Sequence, residues 1–209
     1  MTLKDLWQTA APQITLRSSE TSPFGRKVRM AAIALELADR MIVQTADTSD
    51  PQDSLRLQNP LGKMPCLLIG DEAIFDSAVI LELLDEVDGT HRLIPQDGMA
   101  RFRALTRAKL ADGVTDAALL MVYDGRFRDT PSPRWLDHQA QKIARALAAL
   151  EANPPAVQAD IVGITLACAL SYLDWRAPVQ WRETHPRLVA WLAQFAADIP
   201  AYSLTQRSS

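Results

Sequence analysis

Asp76 and Ser77 carry the most direct chemical signal in this chain. They precede the apolar run Ala78-Val79-Ile80-Leu81, and a short polar residue in that place is a helix N-cap signal. The helix so opened offers free N–H groups and the positive end of its dipole, which suits a carboxylate. The Asp76 side chain suits an amine. Upstream, Pro65 stands immediately before the apolar run Cys66-Leu67-Leu68-Ile69. Proline lacks the N–H that a central strand needs, so at a strand mouth it marks a special backbone geometry, of which a cis peptide is one form. That geometry leaves the N–H and C=O of Met64 free to meet a ligand. The set could bind a peptide-like molecule with an amine and a carboxylate at one end.

Other residues capable of chemistry have duller readings. Asp112 and Asp116 lie four apart on an expected helix, and paired carboxylates can hold a metal or move protons. His91, His138 and His185 are scattered and supply no ligand cluster beside them, so no metal is expected. Arg101, Arg103, Arg107 and Lys109 read as a solvated face. Cys66 and Cys168 are too few for a disulfide framework, and both lie in apolar runs, so buried reduced thiols in a cytoplasmic protein are expected. The net charge of -3 advertises neither nucleic acid nor an anionic membrane as a partner. The N-terminus shows no signal-peptide pattern. The longest apolar run, 161–173, falls short of the roughly 20 residues that span a bilayer.

The elements that must position Met64 to Ser77 follow from periodicity. Ile14-Thr15-Leu16 alternates as a strand, and 18–25 is a polar loop with Pro23 and Gly25. Val28, Ala31, Ala32 and Leu35 have helical spacing, and Met41-Ile42-Val43 is a second short strand. Segment 47–59 is polar and holds at most a short helix. Two strands then lead into a helix from Ser77 to about Glu86. The order β-α-β-loop-β-β-α, within about 80 residues, fits a small α/β sandwich with a mixed sheet. Segment 88–98 is dense in breakers, and everything after it reads as helical, with 161–172 apolar nearly all round and so central. A first domain over 13–88, a linker over 89–98 and an all-helical domain over 99–205 are expected. Residues 1–12 form an extension of unassigned structure ending at Pro12.

This plan resembles the soluble glutathione transferase family, with its thioredoxin-like N-terminal domain and C-terminal helical bundle. Thr21-Ser22-Pro23-Phe24-Gly25-Arg26-Lys27-Val28-Arg29 is similar to the loop and first helix of bacterial members. Asn59-Pro60-Leu61-Gly62-Lys63-Met64-Pro65 is similar to the family's proline turn, which is cis, and Asp76-Ser77 to its acid-serine pair. Ala159-Asp160-Ile161 resembles the start of its central helix. The resemblance covers about residues 14 to 200.

The resemblance implies a transferase that conjugates glutathione, its co-substrate, to a small apolar electrophile, as in detoxification, and acts as a homodimer. A thiol of pKa about 8.5 must lose its proton near neutral pH, and a hydroxyl donor at a helix start can stabilise the thiolate. The family places that donor in the loop after the first strand, where Ser18, Ser19, Thr21 and Ser22 stand. Ser22, directly before Pro23, is the first candidate and Thr21 the second; Ser22 occupies the place of a cysteine in thiol-transferring members. Ser22-Pro23 is also an ordinary N-cap and N1 pair. By the same matching, Met64 presents its backbone to the cysteinyl part of glutathione and Pro65 holds it there. Asp76 meets the γ-glutamyl amine, Ser77 the γ-glutamyl carboxylate and Lys63 the glycine carboxylate, while Phe24 flanks the site. Tyr123, Trp175 and Arg176 are candidates for the second-substrate pocket, with packing as the alternative. A non-catalytic binding or regulatory protein of the same shape, and a glutathione-dependent disulfide or peroxide reductase, are the rival readings.

One departure stands out. The family's central helix opens with a Ser/Thr cap three residues before its aspartate, and here that position is Val157 before Asp160. A lost cap costs about 1 kcal/mol, with Gln158 or a shifted helix start as the means of compensation.

Overall fold

The computed structural model describes residues 2–9 and 14–207. Residues up to Gln96, together with the chain's end from Ser203, form one compact unit; Asp97–Tyr202 forms another.

The first unit begins with α1 (Leu3–Thr9), within the segment whose structure the sequence left open. Thr2 and Asp5 cap it reciprocally: the Thr2 N–H donates to Asp5 Oδ2 at 2.9 Å and the Asp5 N–H to Thr2 Oγ1 at 3.1 Å. Trp7 is buried, and its carbonyl accepts from Arg40 at 3.1 Å. Pro12 lies outside the described residues. Strand β1 (Ile14–Ser18) leads to α2 (Pro23–Ala34), then β2 (Met41–Thr45), a single helical turn α3 (Leu55–Gln58), β3 (Cys66–Ile69), β4 (Glu72–Ile74) and α4 (Ser77–Asp88). The sheet order is β2-β1-β3-β4. Strand β1 pairs parallel with β2 and antiparallel with β3, which pairs antiparallel with β4. This is the mixed sheet that the strand order predicts. Ile14, Leu16, Leu67 and Ile69 are fully or nearly fully buried; each such side chain contributes about 1.5–3 kcal/mol through the water it leaves.

Arg17 crosses this core as a buried cation. It pairs with Asp53 at 2.6 Å and donates to Ser54 Oγ and Gln58 Oε1, each at 2.7 Å. One guanidinium thereby fastens β1 to the whole polar segment before the proline turn. The end of the chain returns to this unit because Arg26 Nε donates to Thr205 Oγ1 at 3.3 Å and Arg29 to the Thr205 carbonyl at 3.1 Å.

The second unit comprises α5 (Gly98–Phe127), α6 (Pro133–Ala152), α7 (Ile161–Arg176), α8 (Pro186–Asp198) and the start of α9 (Pro200–Leu204), whose last two residues belong to the first unit. The first ten residues of α7 are all buried, as its all-round apolarity requires. Its start corrects the expected loss of a cap. The helix opens after Asp160, and Asp160 itself is the N-cap, its Oδ1 accepting the Gly163 N–H at 2.8 Å. An aspartate in that position does the work for which a hydroxyl at 157 was expected. Gly163 is required there: a Cβ on it would stand 2.1 Å from the Gln158 carbonyl oxygen. No helix among the described residues is long and apolar enough to cross a membrane.

Candidate functional site

The site residues all lie in the first unit. Strand β1 ends at Ser18, and the chain turns through 19–22 into α2. The Ser22 N–H donates to the Ser19 carbonyl at 3.1 Å, which closes the turn. Ser22 is the α2 N-cap, its Oγ accepting the Gly25 N–H at 3.0 Å, with Pro23 at the first helical position. The plain capping reading of Ser22-Pro23 therefore holds. A hydroxyl that accepts an N–H retains its own proton to donate, but Ser22 is buried. Gly25 is needed beneath this turn, since a Cβ there would fall 1.8 Å from Ser18 Oγ.

Thr21 is exposed, and its hydroxyl lies 2.9 Å from Ser19 Oγ. Ser19 Oγ in turn donates to Met64 Sδ at 3.2 Å. A thioether is a weak acceptor, so Ser19 gives up little if it turns its proton to Thr21, which would free the Thr21 proton for an incoming anion. The contact also follows from strand register. Arg17 opposes Cys66, so the antiparallel count continued past the strand ends sets Ser19 opposite Met64.

The turn before β3 is built by Asn59, which the sequence reading placed in the proline-turn motif without giving it a role. It is 2% exposed. Its Nδ2 donates to the Lys63 carbonyl at 2.7 Å, and its Oδ1 accepts the Leu61 N–H at 3.0 Å. The Gly62 N–H donates to the Asn59 carbonyl at 2.7 Å, and Gly62 has φ +61, a conformation that glycine adopts without cost. Side chain and backbone of one residue thus fix the path from 59 to 63. Met64 and buried Pro65 follow, joined by a cis peptide, in agreement with the expectation for this turn. Lys63 is exposed. Met64 and Phe75 pack against one small core of Ala46, Leu55 and Cys66, so the residue before Asp76 and the residue before Pro65 share a neighbourhood. The Phe75–Asp76 peptide is also cis.

Asp76 is exposed and caps α4, its Oδ1 accepting the Ala78 N–H at 2.9 Å. Ser77 is buried at the first position of that helix. The acid thus spends one oxygen on the cap and keeps the other for an amine. Phe24 is half-buried, with Lys27 Nζ 5.6 Å from its ring centroid.

The electrostatics disfavour Cys66 as a nucleophile. Burial pushes the Cys66 thiol above its ordinary range, only partly offset by Arg17, so its thiolate is scarce at neutral pH. Asp53 is held below the ordinary carboxylate range, first by the N–H groups of Asp47 and Leu55 and then by Arg17.

The remaining candidates are dispersed. Asp112 is buried and pairs with Lys109 at 3.4 Å, while Asp116 on the same helix is exposed. His91 Nδ1 lies 3.3 Å from Asp85, His138 stacks on Trp135, and His185 bonds to the Trp181 carbonyl. Among the described residues no group of three or more side chains could hold a metal ion. Asp85, which the sequence reading passed over, is buried and accepts the N–H groups of Leu93 and Ile94 at 3.0 and 3.3 Å. A carboxylate inside the apolar pattern of α4 is its only sequence trace.

Comparison with known proteins identifies the family of this chain. The family model described as the glutathione S-transferase N-terminal domain matches residues 21–87. An uncharacterised GST-like protein of Escherichia coli K12, YibF, is 31% identical over 182 residues, covering 83% of this chain and 89% of that protein. A glutathione transferase family member from Pseudomonas fluorescens Pf-5, solved with bound glutathione, is 39% identical with a TM-score of 0.86, covering 94% of this chain and all of that one. A glutathione S-transferase from Methylobacillus flagellatus KT, solved with glutathione bound, is 30% identical with the same TM-score and the same coverage. A thioredoxin-like sheet followed by a helical unit, with this identity over most of the chain, places the protein in the glutathione S-transferase family.

Proposed function

We propose that this protein binds glutathione in its first unit and transfers its thiolate to a small apolar electrophile, as a cytoplasmic homodimeric detoxification enzyme. The observation that carries the reading is the row Thr21, Ser19 and Met64, with hydroxyls 2.9 Å apart and a 3.2 Å contact to the residue of the cis-proline turn. In this reading the Met64 backbone pairs with the cysteinyl part of glutathione as an added strand would. Asp76 takes the γ-glutamyl amine, and the Ser77 end of α4, with its dipole, takes the γ-glutamyl carboxylate. Pro65 holds the turn, Lys63 meets the glycine carboxylate, and Phe24 borders the site.

The thiol must be ionised near neutral pH, and a donated O–H with the adjacent α2 start lowers its pKa. Thr21 is the better supported donor, because it is exposed and backed by Ser19, whereas the Ser22 oxygen is buried and engaged with Gly25. The α2 residues supply orientation, and proximity to the held electrophile supplies the remaining rate. Glutathione bound in the Pseudomonas and Methylobacillus relatives supports the ligand, and the former is also seen with S-(propanoic acid)-glutathione, which supports a thioether product.

Thermal shift and calorimetry with millimolar glutathione test binding; no shift and no heat overturn the proposal. If glutathione binds, conjugation of a chloronitroarene separates a transferase from a disulfide reductase and from a non-catalytic binder. Thr21→Ala raises the pKa of bound glutathione thiol, read from thiolate absorbance against pH. If only Ser22→Ala raises it, the assignment to Thr21 is wrong.

A further inference from the structure

Met64 carries a sulfur that the proposed site leaves unused, since in that reading only its backbone meets glutathione. Its Sδ accepts from Ser19 Oγ at 3.2 Å, and Ser19 Oγ lies 2.9 Å from Thr21 Oγ1. Among the described methionines, Met64 alone has its sulfur hydrogen-bonded to a hydroxyl. Met30 is fully buried, Met41 and Met121 are half-buried, and Met99 is 63% exposed.

The Met64 sulfur stands at a boundary. The side chain packs against Ala46, Leu55 and Cys66, all buried and apolar, yet the residue is only half-buried. Ser19 is half-buried as well, and Thr21 beside it is exposed. The thioether thus lies between an apolar core and a row of hydroxyls that ends in solvent. A change at the sulfur is felt directly by the hydroxyl that backs Thr21.

We propose that Met64 is an oxidation site, at which a hydroperoxide converts the thioether to a sulfoxide that captures the Ser19 hydroxyl and withdraws it from Thr21. In the step, a sulfur lone pair attacks one peroxide oxygen, the O–O bond breaks and an S–O bond forms. Sulfur loses two electrons and the peroxide gains them. The proton on the transferred oxygen passes to the departing one, which leaves as water or an alcohol. A thioether is a weak acceptor, whereas its sulfoxide is polar and carries an exposed oxygen. Burying that oxygen among Ala46, Leu55 and Cys66 without a partner is costly, so it turns to the Ser19 O–H. With its proton held there, Ser19 Oγ can only accept from Thr21. The Thr21 proton is then drawn inward, away from the anion it would meet. This consequence rests on the function proposed above, in which Thr21 supports the glutathione thiolate; the oxidation site itself does not.

The test treats the folded full chain and its Met64→Leu and Met99→Leu variants with millimolar hydrogen peroxide. Tandem mass spectrometry locates the added oxygen and separates Met64 from Cys66, which share a tryptic peptide after Lys63. Met64 and exposed Met99 are oxidised, and buried Met30 is not. In the oxidised parent the thiol pKa of bound glutathione, read from thiolate absorbance against pH, is higher by about 1, as for loss of one hydrogen bond to a charged group. At a pH below both values the conjugation rate falls about tenfold, and above both the loss disappears, which general damage to the fold would not do. Methionine sulfoxide reductase restores the rate. Met99→Leu responds to peroxide as the parent does, and the Met64→Leu rate stays at its own starting value. Met64 left reduced while Met99 is oxidised, an unaltered thiol pKa in the Met64 sulfoxide, or an equal peroxide loss in Met64→Leu overturns the proposal. Glutathione calorimetry on the untreated parent separates the two readings: no heat there overturns the proposed function, and the mass spectrum alone then decides the oxidation site.

Discussion

Replacing Asn59 tests the idea that one buried amide shapes the turn proposed to hold glutathione. In Asn59→Ala two hydrogen bonds are lost, to the Lys63 carbonyl at 2.7 Å and from the Leu61 N–H at 3.0 Å. Each is worth about 1 kcal/mol net, and a backbone group left without a partner adds to the loss where water does not reach it. The variant is therefore about 2 kcal/mol less stable, which for a chain of this size lowers the melting temperature by about 4–8 °C. Asn59→Asp is a sharper probe, because it keeps the acceptor for Leu61 but sets an oxygen against the Lys63 carbonyl and places a charge at a position 2% exposed. It is more destabilising than the alanine. The turn presents Met64, so both variants also weaken glutathione binding, by about tenfold if the freed turn samples other paths most of the time. Differential scanning fluorimetry and glutathione calorimetry give the two readings. Melting temperatures within 1 °C of the parent, together with unchanged glutathione affinity, would refute the reasoning.

Gly163→Ala meets the Gln158 carbonyl oxygen at 2.1 Å and the Phe195 ring at 3.0 Å, and backbone cannot move aside as a side chain can. It lowers stability by at least about 1–3 kcal/mol in urea denaturation, and an unchanged midpoint contradicts the close approach. Asp53 has its pKa lowered in the folded state, so its contribution is present above the ordinary carboxylate value and is lost as pH falls through the folded one. Asp53→Asn is thus less stable than the parent at pH 7, and the gap narrows on acidification below about pH 4; a gap independent of pH, measured by chemical denaturation, refutes the account of a carboxylate held by the Asp47 and Leu55 N–H groups and Arg17. Burial raises the Cys66 thiol, so with 5,5′-dithiobis(2-nitrobenzoate) at pH 8 it reacts slowly in the native protein and fast in denaturant. Fast native labelling of Cys66, located by mass spectrometry, shows that the core around it opens.

Much of this was legible in order and spacing. Pro65 before a strand, Asp76-Ser77 before a helix and Ser22-Pro23 at another helix start are local signals, because capping and proline geometry involve residues within a turn of each other. The mixed sheet followed from the element order. The contributions of Asn59, Arg17 and Asp85 were not legible. Asparagine in a Pro-Gly turn is ordinary, and an arginine inside a strand reads as exposed until Asp53, Ser54 and Gln58, more than thirty residues away, are seen to surround it. The cap of α7 was misplaced by three residues, since only the path of 157–160 shows where the helix begins.

The sequence by itself determined the two-part plan, the proline turn before β3 and the acid that caps α4. Element order decides the first and short-range stereochemistry the other two. The tertiary structure alone decided which hydroxyl of the 18–22 loop faces outward, because strand register brings Ser19 to Met64 and leaves Thr21 exposed while Ser22 turns inward to Gly25.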